Sequence, residues 1–212
     1  NAFTNNDYTD YYITLPTPNI ETAFWLESDR MTGLSLSRRK LETEKRVVLE
    51  EFNQRYLNQP YGDMTKLLRE MVYRVHPYRW CAIGRTPEHV AAATLEDAER
   101  FYRRYYRPSN AILSVSGDIE PEQVFAMAER WFGEIPDTPA HHDPLPAEPM
   151  QTSARRLEVD RDVPATAITI AFPMGGRLSR DYYLLDLISD LLSGGESARL
   201  YDSLIRRSRL FS

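Results

Sequence analysis

Residues 135–150, IPDTPAHHDPLPAEPM, contain five prolines, two histidines and no spacing that suits a helix or a strand. Each proline fixes φ and removes an N–H donor, so neither a helix nor a central strand can run through this stretch. The segment reads as a linker that divides the 212-residue chain into a domain at 1–134 and a second at 151–212. The flanks have the composition of folded protein: 42% of the residues are hydrophobic and 27% charged, which excludes collagen-like and disordered chains. With 31 acidic against 26 basic groups there is no cationic surface for a nucleic-acid backbone. No run of about eighteen apolar residues exists to cross a bilayer. Cys81 is the single cysteine, so it forms no internal disulfide, has no cysteine partner for a structural zinc site, and leaves the redox compartment open. The chain starts at Asn1 rather than Met, and Phe211-Ser212 follow a helical pattern with no polar tail. It is therefore expected to be part of a longer polypeptide.

Local patterns give an irregular mixture of elements. Alternation of polar with aromatic or β-branched residues over 1–15 predicts a strand, ended by Pro16 and Pro18. Thr17 and Pro18 suit the start of a helix striped by Ile20, Ala23, Phe24, Leu26 and Met31. After a turn at Gly33, a helix is predicted from Ser37 to about Tyr56, then a loop at NQPYG (58–62) and a helix from Met64 to Val75, stopped by His76-Pro77. Thr94 with Asp97 has the spacing of a capping box for a helix reaching Tyr106. Ala111 to Ser116 predicts a strand, and Pro121 to Phe132 a helix closed by Gly133. Past the linker, strands are expected at Arg155–Val159 and Ala165–Phe172, and helices at Arg180–Leu192 and Ala198–Leu210 around Gly194-Gly195. Without regular βαβ alternation, this order favours an α+β fold, a layered antiparallel or mixed sheet with packed helices.

The helix Ser37–Tyr56 is the most informative segment chemically. Leu41, Val48, Leu49, Phe52 and Tyr56 make one apolar face. Glu44 and Glu51 lie on its flank, seven residues and so roughly 10 Å apart. From spacing alone, ion pairs of Lys40 with Glu44 and Arg55 with Glu51 explain these carboxylates better than a ligand or acid–base role does. His76 precedes a proline, His89 is expected in a loop, and His141 and His142 lie in the linker. No two histidines have the i,i+3 or i,i+4 spacing that places both on one metal. The run YRRYYR (102–107) suits a helix end with cations at its C-terminus and tyrosines in the core. Cys81 suits a small buried hydrophobe.

Several segments in order resemble the insulinase/pitrilysin family of zinc metallopeptidases, which includes the mitochondrial processing peptidases: NAFTNNDYTDYY (1–12), LESDRM (26–31), LETEKRVVLEE (41–51), NQPYG (58–62), HPYRW (76–80), AIG (82–84), TLEDAERFYRRYYRPSNAILSVSGDIEP (94–121) and LLSGGESARLYDSL (191–204). The resemblance implies two homologous α+β domains, both partial here, of which only the first carries zinc. It implies a zinc held by two histidines of an H-x-x-E-H motif, whose Glu is the general base, and by a glutamate from a later helix in an E-x6-E segment. Carried onto this chain, Glu51 is the zinc ligand and Glu44 a supporting carboxylate beyond it. The two histidines and the base fall before Asn1, so no catalytic residue is expected in the chain itself. Zinc belongs to the complete protein and is not expected to be held tightly here. Asn1, Ala2, Phe3 and Thr4 correspond to the edge strand to which a substrate peptide adds. The helix Arg180–Leu192 takes the place of a zinc-motif helix but has Asp186 and Asp190 and no histidine.

These expectations describe part of a zinc endopeptidase acting on unstructured peptides. A non-catalytic partner subunit of such a peptidase is the alternative, and a purely structural module the residual one. Peptide substrates are the expected partners, and a homo- or heterodimer of homologous subunits is compatible with the family. Nucleic acid is not expected.

Overall fold

The computed structural model describes residues 1–139 and 142–209. His141 and the expected helix end at Leu210 lie outside the described residues. The chain forms two compact units, Asn1–Met150 with Arg155–Thr166, and Gln151–Ala154 with Ala167–Ser212.

The first unit opens with a hairpin, not the single long strand predicted. β1 (Ala2–Thr4) and β2 (Thr9–Tyr11) pair antiparallel, with Ala2 opposite Tyr11 and Thr4 opposite Thr9. The chain reverses because the Asn5 side-chain carbonyl accepts from the backbone N–H groups of Asp7 (2.8 Å) and Tyr8 (3.0 Å), an Asx turn that alternation alone does not reveal. A short 3₁₀ turn at Thr17–Asn19 leads into α1 (Ile20–Thr32), closed at Gly33. α2 (Arg38–Phe52) starts where the Ser37 hydroxyl accepts from the Lys40 N–H, and it continues into a π-turn at Asn53–Leu57. The loop 58–62 then turns back tightly. Gly62 is required there, since a Cβ would sit 2.8 Å from the Arg55 carbonyl. Tyr61 holds a left-handed φ of 61°.

α3 (Met64–Val72) ends three residues short of the predicted Val75. The next backbone donors, Arg74, Val75 and His76, turn away to the Glu148 carboxylate at 2.6, 2.9 and 3.0 Å. A 3₁₀ turn at Pro77–Arg79 and a short α4 (Pro87–Ala91) follow. His89 thus lies in a helix rather than a loop, because Thr86 and Pro87 supply an N-cap and a first helical residue. The capping box of α5 (Leu95–Tyr105) forms in both directions: the Thr94 hydroxyl accepts from Asp97 N–H (3.1 Å) and the Asp97 carboxylate accepts from Thr94 N–H (3.0 Å). α6 (Pro121–Phe132) packs on α1 through Phe24 and Phe132, rings 6.3 Å apart, and Arg130 pairs with Glu21 at 2.7 Å. The buried centre of this unit consists of Phe24, Ser28, Phe52 and Cys81.

Among its described residues the proline-rich stretch has no regular structure, and side chains fasten it to the rest of the unit. Asp137 accepts from the Ser109 backbone and hydroxyl, Arg107 donates to the Thr138 carbonyl (3.3 Å) and hydroxyl, and Arg104 pairs with Asp143 at 2.6 Å. Farther on, the Arg155 guanidinium caps the C-terminal end of α3 through the Met71 and Val72 carbonyls, and Arg161 pairs with Asp63 at 2.9 Å. The second unit holds α7 (Arg180–Ser193) and a π-turn at Tyr201–Arg207, with Ala198 buried.

The strands expected at 111–116, 155–159 and 165–172 do not form a ladder. Their alternation is that of strands, but a strand also needs a neighbour to take its N–H and C=O groups, and none among the described residues pairs with them. Ile112 is 98% exposed and Phe172 83%. The fold is α+β, with helices dominant and a two-stranded antiparallel sheet.

Candidate functional site

α2 sorts its side chains as its sequence dictates. Phe52 is 1% exposed, its ring 5.1 Å from that of Tyr56, while Leu41, Val48 and Leu49 are half-buried. Burial, together with a hydrogen bond to Cys81, raises the Tyr56 phenol above its ordinary pKa. Glu44, Val47 and Glu51 are exposed, and at 3.6 residues per turn the two carboxylates lie on the flank of the apolar face.

The expected ion pairs are met by half. Glu51 Oε1 lies 3.0 Å from Arg55 Nη2. Lys40, instead of reaching Glu44, donates to the Ser35 carbonyl at 3.1 Å, because Ser37 starts the helix late enough to leave that carbonyl within reach of the lysine stem. The neighbouring acids are also occupied, Glu42 with Lys45 (3.1 Å) and Glu50 with Gln54 (3.1 Å). Glu44 alone of these four has no side-chain hydrogen bond or ion pair among the described residues.

Asn1, Ala2, Phe3 and Thr4 are all exposed. The register decides which backbone groups are free. The Asn1 amine donates to the Tyr12 carbonyl and Tyr12 N–H to the Asn1 carbonyl, both at 3.0 Å, and Asn5 N–H donates to Tyr8. Bonded positions alternate along an antiparallel pair, so Ala2 and Thr4 direct their N–H and C=O away from β2, to an edge that no strand covers among the described residues. Phe3 and Tyr8 stack edge to face on the hairpin, centroids 5.8 Å apart.

His76 and His89 serve local structure. His76 Nδ1 accepts from Tyr78 N–H (3.2 Å), its ring packing 4.4 Å from that of Tyr78, and His89 Nδ1 accepts from Arg85 N–H (3.5 Å). Among the described residues no group of three or more His, Cys, Asp or Glu could hold a metal. Glu51 offers one oxygen ligand, whereas zinc takes three protein ligands and a water.

Two arrangements escaped the sequence. Glu148 receives three successive N–H donors across more than seventy residues. Desolvation works to raise its pKa, but those donors and the Arg155 charge outweigh it and lower the pKa to about 2. Tyr11 and Tyr106 share a hydroxyl–hydroxyl hydrogen bond of 2.6 Å, and burial followed by that bond raises the Tyr106 pKa far above the ordinary phenol value. The tyrosine pattern in YRRYYR marked a core-facing group, but nothing in it named Tyr11 as the partner.

Residues 92–212, more than half of the chain, match the family described as Peptidase M16 inactive domain. The chain belongs to the M16, or insulinase, family of peptidases. The zinc protease PqqE of Helicobacter pylori is 32% identical over 215 residues, all of this chain and 48% of that protein. A crystal structure of a protease from Helicobacter pylori superposes with a TM-score of 0.82 at 30% identity, covering 99% of this chain and 51% of the other. The mitochondrial-processing peptidase subunit beta of Caenorhabditis elegans is 23% identical over 77% of this chain and 34% of its own length. The chain thus spans about half the length of the curated bacterial relatives it matches. The M16 match to an inactive domain begins at residue 92, after α2 and its two carboxylates. No helix among the described residues is long and apolar enough to cross a membrane.

Proposed function

We propose that this chain is part of a zinc-dependent endopeptidase that hydrolyses peptide bonds in unstructured peptides. In the full-length protein Glu51 supplies one ligand to the zinc, and Glu44, two helical turns earlier, holds a neighbouring group in place through a hydrogen bond. The remaining ligands and the general base come from residues other than those described. Zinc bound in such a site polarises a water for attack on the peptide carbonyl. The parts contributed here are the carboxylates on α2 and the edge of β1. A substrate segment added as a strand would exchange backbone hydrogen bonds with Ala2 and Thr4, which selects extended chains and is loose about side chains. In the same proposal, residues 1–134 and those from 151 onward belong to two homologous domains joined at 135–150, and only the first bears zinc.

The observation that carries this proposal is Glu44. A salt-bridged helix border would account for it through Lys40, but Lys40 is engaged elsewhere and the carboxylate points outward on the same side as Glu51. A non-catalytic partner subunit is favoured by one feature, the match of residues 92–212 to an inactive domain. The zinc protease names among the relatives support a catalytic parent.

The test is cleavage of a quenched unstructured peptide by the full-length protein, before and after metal removal. We expect chelation to abolish turnover and added zinc to restore it, while the 212-residue chain alone neither cleaves the peptide nor keeps zinc through dialysis. Turnover indifferent to chelation, or stoichiometric zinc in the isolated chain, would overturn the proposal.

A further inference from the structure

A two-stranded hairpin is marginal in water without support, so whatever holds β1–β2 also sets the position of its free edge. Two sets of contacts do so. At the tip, Asn6 Oδ1 accepts from Arg69 at 3.0 Å, Asn6 Nδ2 donates to the Trp80 carbonyl at 3.4 Å, and Asp7 accepts from the Tyr78 hydroxyl. At the open end, Tyr11 lies between two groups. Its hydroxyl meets that of Tyr106 at 2.6 Å, and the Arg30 guanidinium stands 4.2 Å over its ring. Tyr106 is itself fixed. Its ring lies 5.1 Å from that of Tyr102, and the Tyr102 hydroxyl donates to the Arg30 carbonyl (2.6 Å) and accepts from Leu34 N–H (3.2 Å).

Side chains alternate faces along a strand. Tyr11 stands opposite Ala2, one of the two residues whose backbone groups point to the free edge. The anchor therefore acts on the face of the hairpin turned toward α1 and α5, opposite Ala2, one of the two positions that would dock a peptide. The hydroxyl bond makes no contact with such a peptide; it determines where Ala2 and Thr4 are held.

We propose that Tyr106, acting through the Tyr11 hydroxyl, is a positioning residue for the peptide-binding edge of β1, with Asn6 and Asp7 clamping the tip of the same hairpin. This rests on the assignment of the β1 edge to peptide binding made above. Tyr106→Phe deletes one hydroxyl and leaves the ring packing, so the fold is retained and the change falls on the anchor.

The experiment uses the 212-residue chain, labelled for amide NMR, and an unstructured peptide of alternating polar and apolar residues, with a copy N-methylated at alternate positions as control. In the wild-type chain the peptide should shift the Ala2 and Thr4 amides and the methylated copy should not. Tyr106→Phe should speed hydrogen exchange at Phe3, Asp10 and Tyr12, and weaken the peptide, each roughly 3- to 10-fold, the factor that one net hydrogen bond sets. The thermal midpoint should hardly move. Tyr11→Phe should reproduce this, and the double variant should be no worse than either single one, because both remove the same bond. Asn6→Ala should loosen the tip independently and add to Tyr106→Phe. Unchanged hairpin exchange in Tyr106→Phe, additive losses in the Tyr11/Tyr106 double variant, or faster exchange with unaltered peptide affinity would each overturn the positioning role. If the wild-type chain shows no shift at Ala2 and Thr4, the edge assignment fails and the positioning role falls with it; the exchange data then still report, separately, whether the hydroxyl pair anchors the hairpin.

Discussion

Glu51 and Phe52 are adjacent on α2, the first exposed and the second buried, so their substitutions should separate function from stability. Phe52 is buried to 1% exposure against Tyr56, and cutting a buried phenylalanine to alanine costs about 3–5 kcal/mol through lost burial and the cavity left behind. In a unit of this size each kcal/mol moves the midpoint by about 2–4 °C, so Phe52→Ala should melt about 6–20 °C lower. Glu51 is 48% exposed and its partner Arg55 60% exposed, so the pair is well screened and Glu51→Gln should cost only about 0–1 kcal/mol. Circular dichroism melts of the 212-residue chain, supported by urea titrations, measure both. A Phe52→Ala chain within about 1 kcal/mol of wild type would show that the helix face was wrongly assigned. A Glu51→Gln chain losing more than about 2 kcal/mol would show that Glu51 is a structural residue held by more than a surface pair.

Two further outcomes follow from local contacts. The Glu148 pKa is depressed to about 2 in the folded chain, below the roughly 4.3 of an unfolded glutamate, so its contribution is complete above that unfolded value and is lost as pH falls through about 2; the Val75 amide shift should titrate with that low midpoint in wild type and stay flat in Glu148→Gln. Thr94→Ala removes the hydroxyl half of the capping box on α5 and should lower stability by about 0.5–2 kcal/mol in a urea titration, whereas a loss below about 0.2 kcal/mol would mean that α5 is held by packing alone.

What could be read from the sequence is what depends on near neighbours. The Thr94–Asp97 box, the helix start at Ser37, the stop at Gly133 and the apolar face of α2 each need only residues within a turn or two, and all are present. The alternation at 111–116 and 165–172 predicts strands that form no ladder among the described residues, because pairing is a property of two segments, and one segment cannot state who its neighbour is. The shortened α3 has the same cause at longer range: its end is set by Glu148, more than seventy residues away. At the candidate site, spacing gave Glu44 and Glu51 their common side of the helix. It did not give the capture of Lys40 by the Ser35 carbonyl, which leaves Glu44 without its expected partner. The Tyr11–Tyr106 bond likewise joins residues ninety-five apart, and composition signals only that both are tyrosines.

The measurement closest to the central claim is zinc occupancy of the full-length protein, taken beside its peptide turnover, for Glu51→Gln and Glu44→Gln. If Glu51 ligates the metal and Glu44 supports it, Glu51→Gln loses zinc and nearly all activity, while Glu44→Gln weakens both by about 10- to 100-fold. A Glu51→Gln protein that remains zinc-replete and fully active would contradict the account.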